Sequence, residues 1–173
     1  MRQHFLDDYD FNDINTIDQT WDYLQNGLIN NLYQEPIQDT IMISKPRLRI
    51  QKVNSKSCPR QENEKSKTDK EQEPQECYGT YDPEHESTEP LKGMSGTAGQ
   101  YAELGGVFLG RDYWGKTTPW VEHYHAGGYV TYLPKNDYPK ASKKIEELKT
   151  AKWLDNGTRL LVIGMFFIHL IQY

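Results

Sequence analysis

The sequence predicts a single α+β domain over residues 1–173, in which an antiparallel-rich sheet is flanked by helices and a long polar loop sits between two cysteines. Three observations predict it. Apolar residues recur at helical spacing in two stretches, one near each end of the chain. β-prone segments with alternating or continuous apolar residues lie between and after those stretches. The eighteen residues between Cys58 and Cys77 hold no apolar side chain. They cannot offset their ordering entropy by burial, so residues 59–76 are expected to form a flexible loop outside the folded body.

The first helix opens on Thr16-Ile17-Asp18-Gln19, a capping box in which the Thr16 hydroxyl and the Gln19 side chain satisfy exposed backbone N–H groups reciprocally. Ile17, Trp21, Leu24, Leu28 and Leu32 then follow at spacings of four, three, four and four, one apolar stripe. Asp18, Asp22, Gln25 and Asn30 lie off it, and Pro36 ends the segment. From Thr40 to Val53 the pattern turns to strand, with a kink at Pro46 and Leu48 and Ile50 alternating with Arg47, Arg49 and Gln51. The two arginines share a face expected to point away from the core, either into solvent or toward a neighbouring acidic surface.

Residues 60–89 carry ten acidic and four basic side chains, whereas the remainder carries fifteen acidic and sixteen basic. The net charge of −5 therefore comes from one segment. Because lysine and glutamate are mixed there, a solvated excursion is a better reading than a cation-attracting surface. If Cys58 and Cys77 pair, the bridge closes this loop at its base, adds roughly 3 kcal/mol in the chain-entropy model and places the domain in an oxidising compartment. The other reading is two free thiols. Zinc is disfavoured, since the pair lacks CxxC spacing and the nearby histidine is His85 alone.

Pro83 to Gly99 is turn-rich surface loop. Tyr101 to Leu133 is dominated by aromatics and glycines, which suggests short strands with close backbone approach. Val107–Leu109 and Tyr129–Leu133 are the best of them. Asn136 or Asp137 caps a second helix with Pro139 in its first turn, and Ala141, Ile145, Leu148 and Ala151 line one face. Trp153 and Leu154 close it, Asp155-Asn156-Gly157 is a turn, and Leu160 to Tyr173 reads as a strand buried on both faces or as a buried helix. There is no internal repeat.

These features exclude several classes. The longest apolar stretch, Leu160 to Leu170, is eleven residues, short of the roughly 20 a membrane-spanning helix needs. No basic region followed by an apolar stretch opens the chain, so no secretory signal peptide is expected. The acidic balance and the lack of a basic stripe interleaved with aromatics argue against nucleic acid. His123 and His125, with Glu122 or Asp112, could begin a metal site but have no defined third ligand, and polar surface is the plainer reading. No nucleophile elbow, zincin, P-loop or dinucleotide fingerprint occurs. An enzyme is therefore not expected, and no cofactor. Asn156-Gly157-Thr158 is a sequon that could carry a glycan on Asn156.

In order along the chain, Trp21, Tyr23 and Leu24, then Pro46-Arg47-Leu48-Arg49 and Cys58, then Glu76-Cys77-Tyr78 with Tyr81 resemble the extracytosolic domain of the polycystin family. Tyr113-Trp114-Gly115 and Gly127-Gly128-Tyr129 match that family's aromatic and glycine-rich middle. Trp153-Leu154-Asp155 followed by Gly157-Thr158-Arg159 is similar to its W-L-D-x-G-T-R signature, the most specific piece. The resemblance covers about residues 15 to 163. It implies a domain between the first and second transmembrane helices of a TRP-type cation channel, on the luminal or extracellular side of a ciliary, plasma or endoplasmic reticulum membrane. It further implies four copies in contact that stabilise the tetramer and influence gating, homo- or hetero-oligomeric with polycystin-type subunits. Cys58 and Cys77 are implied to pair, and Ca2+ enters only as a permeant or modulating ion. Tyr113, Trp114, Trp120 and Tyr129 are the expected interface or aromatic platform.

Gly164, Ile168 and His169 stand where the family carries an acidic residue and a Y-N-A-N-like stretch, a departure at the last strand. Without pore helices or a selectivity filter this polypeptide is not expected to conduct ions by itself. The competing function is a soluble glycan- or lipid-headgroup-binding domain, with tyrosine and tryptophan stacking beside asparagine, aspartate and histidine.

Overall fold

The computed structural model of the chain describes residues 14–33, 40–58, 76–103, 124 and 127–169. The first helix starts as α1 (Ile17–Asp22), passes through a π-helical stretch at Tyr23–Leu28 and resumes as α2 (Ile29–Tyr33). Its capping box is in place: the Thr16 hydroxyl accepts from Gln19 N at 3.1 Å and Gln19 Oε1 accepts from Thr16 N at 3.0 Å. The π turn departs from a strict 3.6-residue repeat. It widens the buried stripe, so that Tyr23, Gly27 and Ile29 join Trp21, Leu24, Leu28 and Leu32.

Among the described residues six strands follow in chain order: β1 (Thr40–Met42), β2 (Arg47–Lys52), β3 (Tyr101–Ala102), β4 (Gly128–Tyr132), β5 (Thr158–Gly164) and β6 (Phe167–His169). The remaining helix, α3 (Tyr138–Thr150), precedes β5. Its N-cap is Asp137, whose carboxylate accepts from Lys140 N at 3.1 Å, with Pro139 in the first turn as the sequence predicts. A four-stranded antiparallel sheet has the order β3-β4-β2-β5, and β1 and β6 form a separate antiparallel ribbon. The fold class is α+β with an antiparallel sheet, as expected.

The core lies between the helices and one face of the sheet. Leu48 and Ile50 of β2, Tyr129 of β4 and Ile145 and Leu148 of α3 are fully buried there, together with Leu24, Ile29 and Trp153. Polar ends fix the helices: Tyr33 Oη donates to Pro134 O at 2.6 Å, and Tyr138 Oη donates to Asn30 Oδ1 at 3.0 Å.

Three expectations are corrected. Arg49 is 4% exposed and Gln51 is fully buried, so the alternate face of β2 is not solvated. β2 lies between β4 and β5, and Tyr81, Glu86 and Gly127 cover that face. Where it is described, the run from Leu160 is neither a helix nor one strand buried on both faces: it falls into β5, an edge strand of intermediate exposure throughout, and β6 of the separate ribbon. The stretch from Thr40 to Val53 is not one strand kinked at Pro46 but two, β1 and β2, in different sheets. The segment from Pro83 to Gly99 is turn-rich as expected, with two short 3-10 turns, Pro83–His85 and Gly96–Ala98, although Ala98 belongs to the core. Pro36 and the Val107–Leu109 strand lie outside the described residues.

Candidate functional site

Beyond Lys52 the chain of β2 continues as a strap with neighbours on both sides. On one side Lys56 bridges to Cys77 in parallel, Cys77 N donates to Ser55 O at 2.9 Å and Gly79 N donates to Ser57 Oγ at 2.9 Å. On the other, Asn54 N donates to His85 O at 2.9 Å and Ser87 N donates to Lys52 O at 2.8 Å. Cys58 and Cys77 form a disulfide with their Cα atoms 5.6 Å apart. The bond closes the polar segment where it leaves this three-ply strap. Gly79 fits because a Cβ there would meet the Ser57 carbonyl at 2.5 Å.

The signature turn locks the strap to the core. Trp153 is fully buried and its Nε1 donates to Ala98 O at 2.9 Å, pinning the end of α3 to the second 3-10 turn. Leu154 is buried beside it. Asp155 Oδ1 accepts from Gly157 N at 3.0 Å, and Asp155 N donates to Thr158 Oγ1 at 3.0 Å, a tight Asx-type turn. Asp155 Oδ2 meets Lys52 Nζ at 2.7 Å; the lysine is 4% exposed, and a register shift between Gln51 and Lys52 accompanies its turn toward the aspartate. A Cβ on Gly157 would press on the Val53 carbonyl at 2.8 Å and on the Tyr78 ring at 3.0 Å. Arg159 then reaches across the strap. Its Nε donates to Gly79 O at 2.7 Å, its Nη2 to Tyr78 O at 2.9 Å and its Nη1 to Asn156 O at 2.8 Å. One guanidinium fork thus holds the cysteine-bearing segment against the turn.

On the side of the sheet away from the helices is a buried polar cluster that the sequence did not reveal. Arg49 Nη1 donates to Gly127 O at 2.8 Å, Gln51 Nε2 donates to Glu86 Oε1 at 2.9 Å and Tyr81 Oη donates to Glu86 Oε2 at 3.2 Å. Burial, and then hydrogen bonding to Glu86, push the Tyr101 hydroxyl well above the ordinary tyrosine range. Burial, reinforced by the like charge of Arg47, lowers Arg49 from its ordinary value. The glycine pair fits against this cluster. A Cβ on Gly127 would collide with the Tyr101 hydroxyl, and Gly128, at φ 136°, lies against the Ile50 carbonyl. Tyr81 and Tyr124 stack with ring centroids 4.3 Å apart, and Tyr124 Oη donates to Arg159 O at 3.3 Å, tying cluster and signature turn together. Glu86 and Lys52 sit in charged, unremarkable stretches, so no local signal marked them.

Of the sequence-predicted residues, Cys58, Cys77, Arg49, Gly127, Gly128, Trp153, Leu154, Asp155, Thr158 and Arg159 are brought together in the scaffold just described. Trp21 is buried in the helical layer, and Arg47 pairs with Gly164 and Tyr132 at the end of β2. Tyr129 is core rather than platform: it is fully buried, and its hydroxyl donates to Glu89 O at 2.6 Å because β4 lies inside the sheet. Asn156 is exposed on the turn. Tyr113, Trp114 and Trp120, and Asp112, Glu122, His123 and His125, lie outside the described residues. Among the described residues no cluster of three metal-ligating side chains gathers, and no helix is long and apolar enough to cross a membrane.

Residues 10–167 match the family model described as Polycystin domain. Among curated proteins the chain is similar to Polycystin-2 of Danio rerio, 28% identical over 168 residues, covering 88% of this chain and 17% of the relative. It is 29% identical over 171 residues to Polycystin-2-like protein 1 of Homo sapiens, 88% of this chain and 19% of the relative. Polycystin-2 of Caenorhabditis elegans is 25% identical over 167 residues, 88% and 21% respectively. The chain thus spans about a fifth of the length of these relatives.

Proposed function

The chain belongs to the polycystin domain family, and from that premise we propose that it is the extracytosolic assembly and gating domain of a polycystin-type TRP cation channel. In this reading it contributes subunit–subunit contacts, in a tetramer with like or related polycystin subunits. It stands on the luminal or extracellular side of a ciliary, plasma or endoplasmic reticulum membrane. Ion conduction, with Ca2+ as permeant or modulating ion, belongs to the parent channel. The carrying observation is the coincidence of the family match at residues 10–167 with the folded unit, in which every described signature residue from Trp153 to Arg159 has a structural task. The Cys58–Cys77 disulfide supports an oxidising, extracytosolic setting. The exposed Asn156 would accept a glycan in the same compartment.

With the signature residues occupied in scaffolding, the contact surface is assigned to other residues, and Tyr113, Trp114 and Trp120 are the candidates, since aromatic anchors concentrate binding energy at interfaces. The test is replacement of the matching segment of zebrafish polycystin-2 by this chain, followed by native gel analysis of subunit number. Retained tetramers that are lost in Trp114→Ala/Trp120→Ala, with unchanged thermal stability of the isolated chain, are the expected result. Failure of the chimera to assemble although the chain folds would overturn the proposal.

A further inference from the structure

The large hydrophobic side chains left about half exposed among the described residues gather at one end of the molecule. They are Ile41, Ile43, Phe166 and Ile168 of the β1–β6 ribbon and its approaches, and Tyr132 at the end of β4, exposed between 48% and 58%. The ribbon register explains the grouping. Ile41 pairs with Ile168, and Ile43 N donates to Phe166 O at 2.9 Å, so all four side chains lie on one face. Met42, on the opposite face, is buried. The ribbon is therefore two-sided, with one apolar face turned inward and one turned out.

Basic side chains stand around this face, in a chain whose net charge is −5. Lys45 and Lys135 are exposed beside the ribbon, and Lys135 Nζ reaches the Ile43 carbonyl at 3.4 Å. Arg47 stands at the start of β2, opposite Tyr132.

Two arguments select the occupant. Five half-exposed side chains of ~150–250 Å² each offer on the order of 450 Å², about half of the ~800 Å² per partner that a stable protein complex buries. A second copy is thus poorly matched. A small apolar face with an aromatic pair and three basic side chains at its rim matches instead the boundary of a phospholipid bilayer, where apolar side chains enter the acyl edge and cations meet phosphate. We infer that the outward face of the β1–β6 ribbon, with Lys45, Arg47 and Lys135 at its rim, rests on a phospholipid headgroup surface. This contact is separate from the assembly role and can fail or succeed independently of it.

The test is flotation of the full chain with vesicles of phosphatidylcholine containing a fifth phosphatidylglycerol, at 0.1 M and 0.5 M salt. Binding is expected at low salt, at least tenfold weaker in Ile41→Ser/Ile168→Ser and in Lys45→Glu/Lys135→Glu, and reduced by the higher salt. Because these residues are exposed, both variants should melt within a few degrees of the parent chain. Phe166→Trp adds a readout independent of affinity: its emission should shift to the blue and be quenched by brominated phosphatidylcholine. No binding by the parent chain, undiminished binding by both variants, or an unquenched Trp at position 166 would overturn the inference. So would concentration-dependent self-association abolished by Ile41→Ser/Ile168→Ser without vesicle binding, which would assign the face to a second copy.

Discussion

Arg159 Nε donates to the carbonyl of Gly79 at 2.7 Å, joining residues eighty positions apart. Two further bonds, to Tyr78 O and Asn156 O, make this one side chain the clasp between the signature turn and the disulfide strap. Charge-assisted hydrogen bonds contribute about 1.5–3 kcal/mol each when buried and less when solvated. Arg159→Ala is expected to lower unfolding free energy by about 2–3 kcal/mol in urea at unchanged m, and Arg159→Lys to recover less than half, because an ammonium lacks the planar fork. A loss below ~0.5 kcal/mol for Arg159→Ala, within the range of neutral surface changes, would contradict the clasp.

Reduction of Cys58–Cys77, or Cys58→Ser/Cys77→Ser, should cost about 3 kcal/mol for a sequence separation of 19. The strap is also held by Arg159, so the two losses should not add. A double-mutant cycle combining the cysteine pair with Arg159→Ala should show a coupling of at least ~0.5 kcal/mol, and strict additivity would show that the strap is not one unit.

Gly128→Ala should be costly. Its φ of 136° is outside the range side chains favour, and a Cβ would strike the Ile50 carbonyl. A loss of about 2 kcal/mol or more is expected. Gly93→Ala is the control: φ is 77° but nothing lies within 4 Å of the added methyl, so it should cost only about 1 kcal/mol. Equal effects in thermal melts would remove the steric part of the argument.

Trp153 separates packing from hydrogen bonding. Trp153→Ala should destabilise by about 3–5 kcal/mol through the cavity it leaves. Trp153→Phe keeps most of the apolar volume but strands the Ala98 carbonyl, at about 1–3 kcal/mol. Guanidinium titrations that rank Phe as costly as Ala would mean the bond to Ala98 dominates.

Burial, with the charge of Asp137 adding to it, pushes Tyr33 up to about 12 from 10.0. A raised folded-state value means that the native chain holds this proton more tightly than the unfolded chain. The associated stability is complete below pH 10 and is lost as pH rises toward 12. Tyr33→Phe should therefore flatten the decline of unfolding free energy between pH 10 and 12 by about one linked proton. An unchanged slope in urea titrations across that window would refute the assignment.

Local pieces of the fold were legible in the residues that form them. The capping box at Thr16, the stripe from Ile17 to Leu32, the Asp137 cap and the turn at Asp155 are set by neighbours a few residues away, and the structure contains each of them. The signature spacing also singled out Trp153, Asp155 and Arg159, though not what they hold. Tertiary structure alone decided the rest. Alternation showed that Arg47, Arg49 and Gln51 share a face of β2, yet only the strand order, with β4 and β5 on either side, buries Arg49 and Gln51 and recruits Glu86 from thirty-five residues beyond Gln51. The same order made β5 an edge and put Tyr129 inside. Period and capping are short-range properties that a chain carries in its own residues. What covers a face depends on pairings between distant segments, which leave no trace in the sequence near either partner.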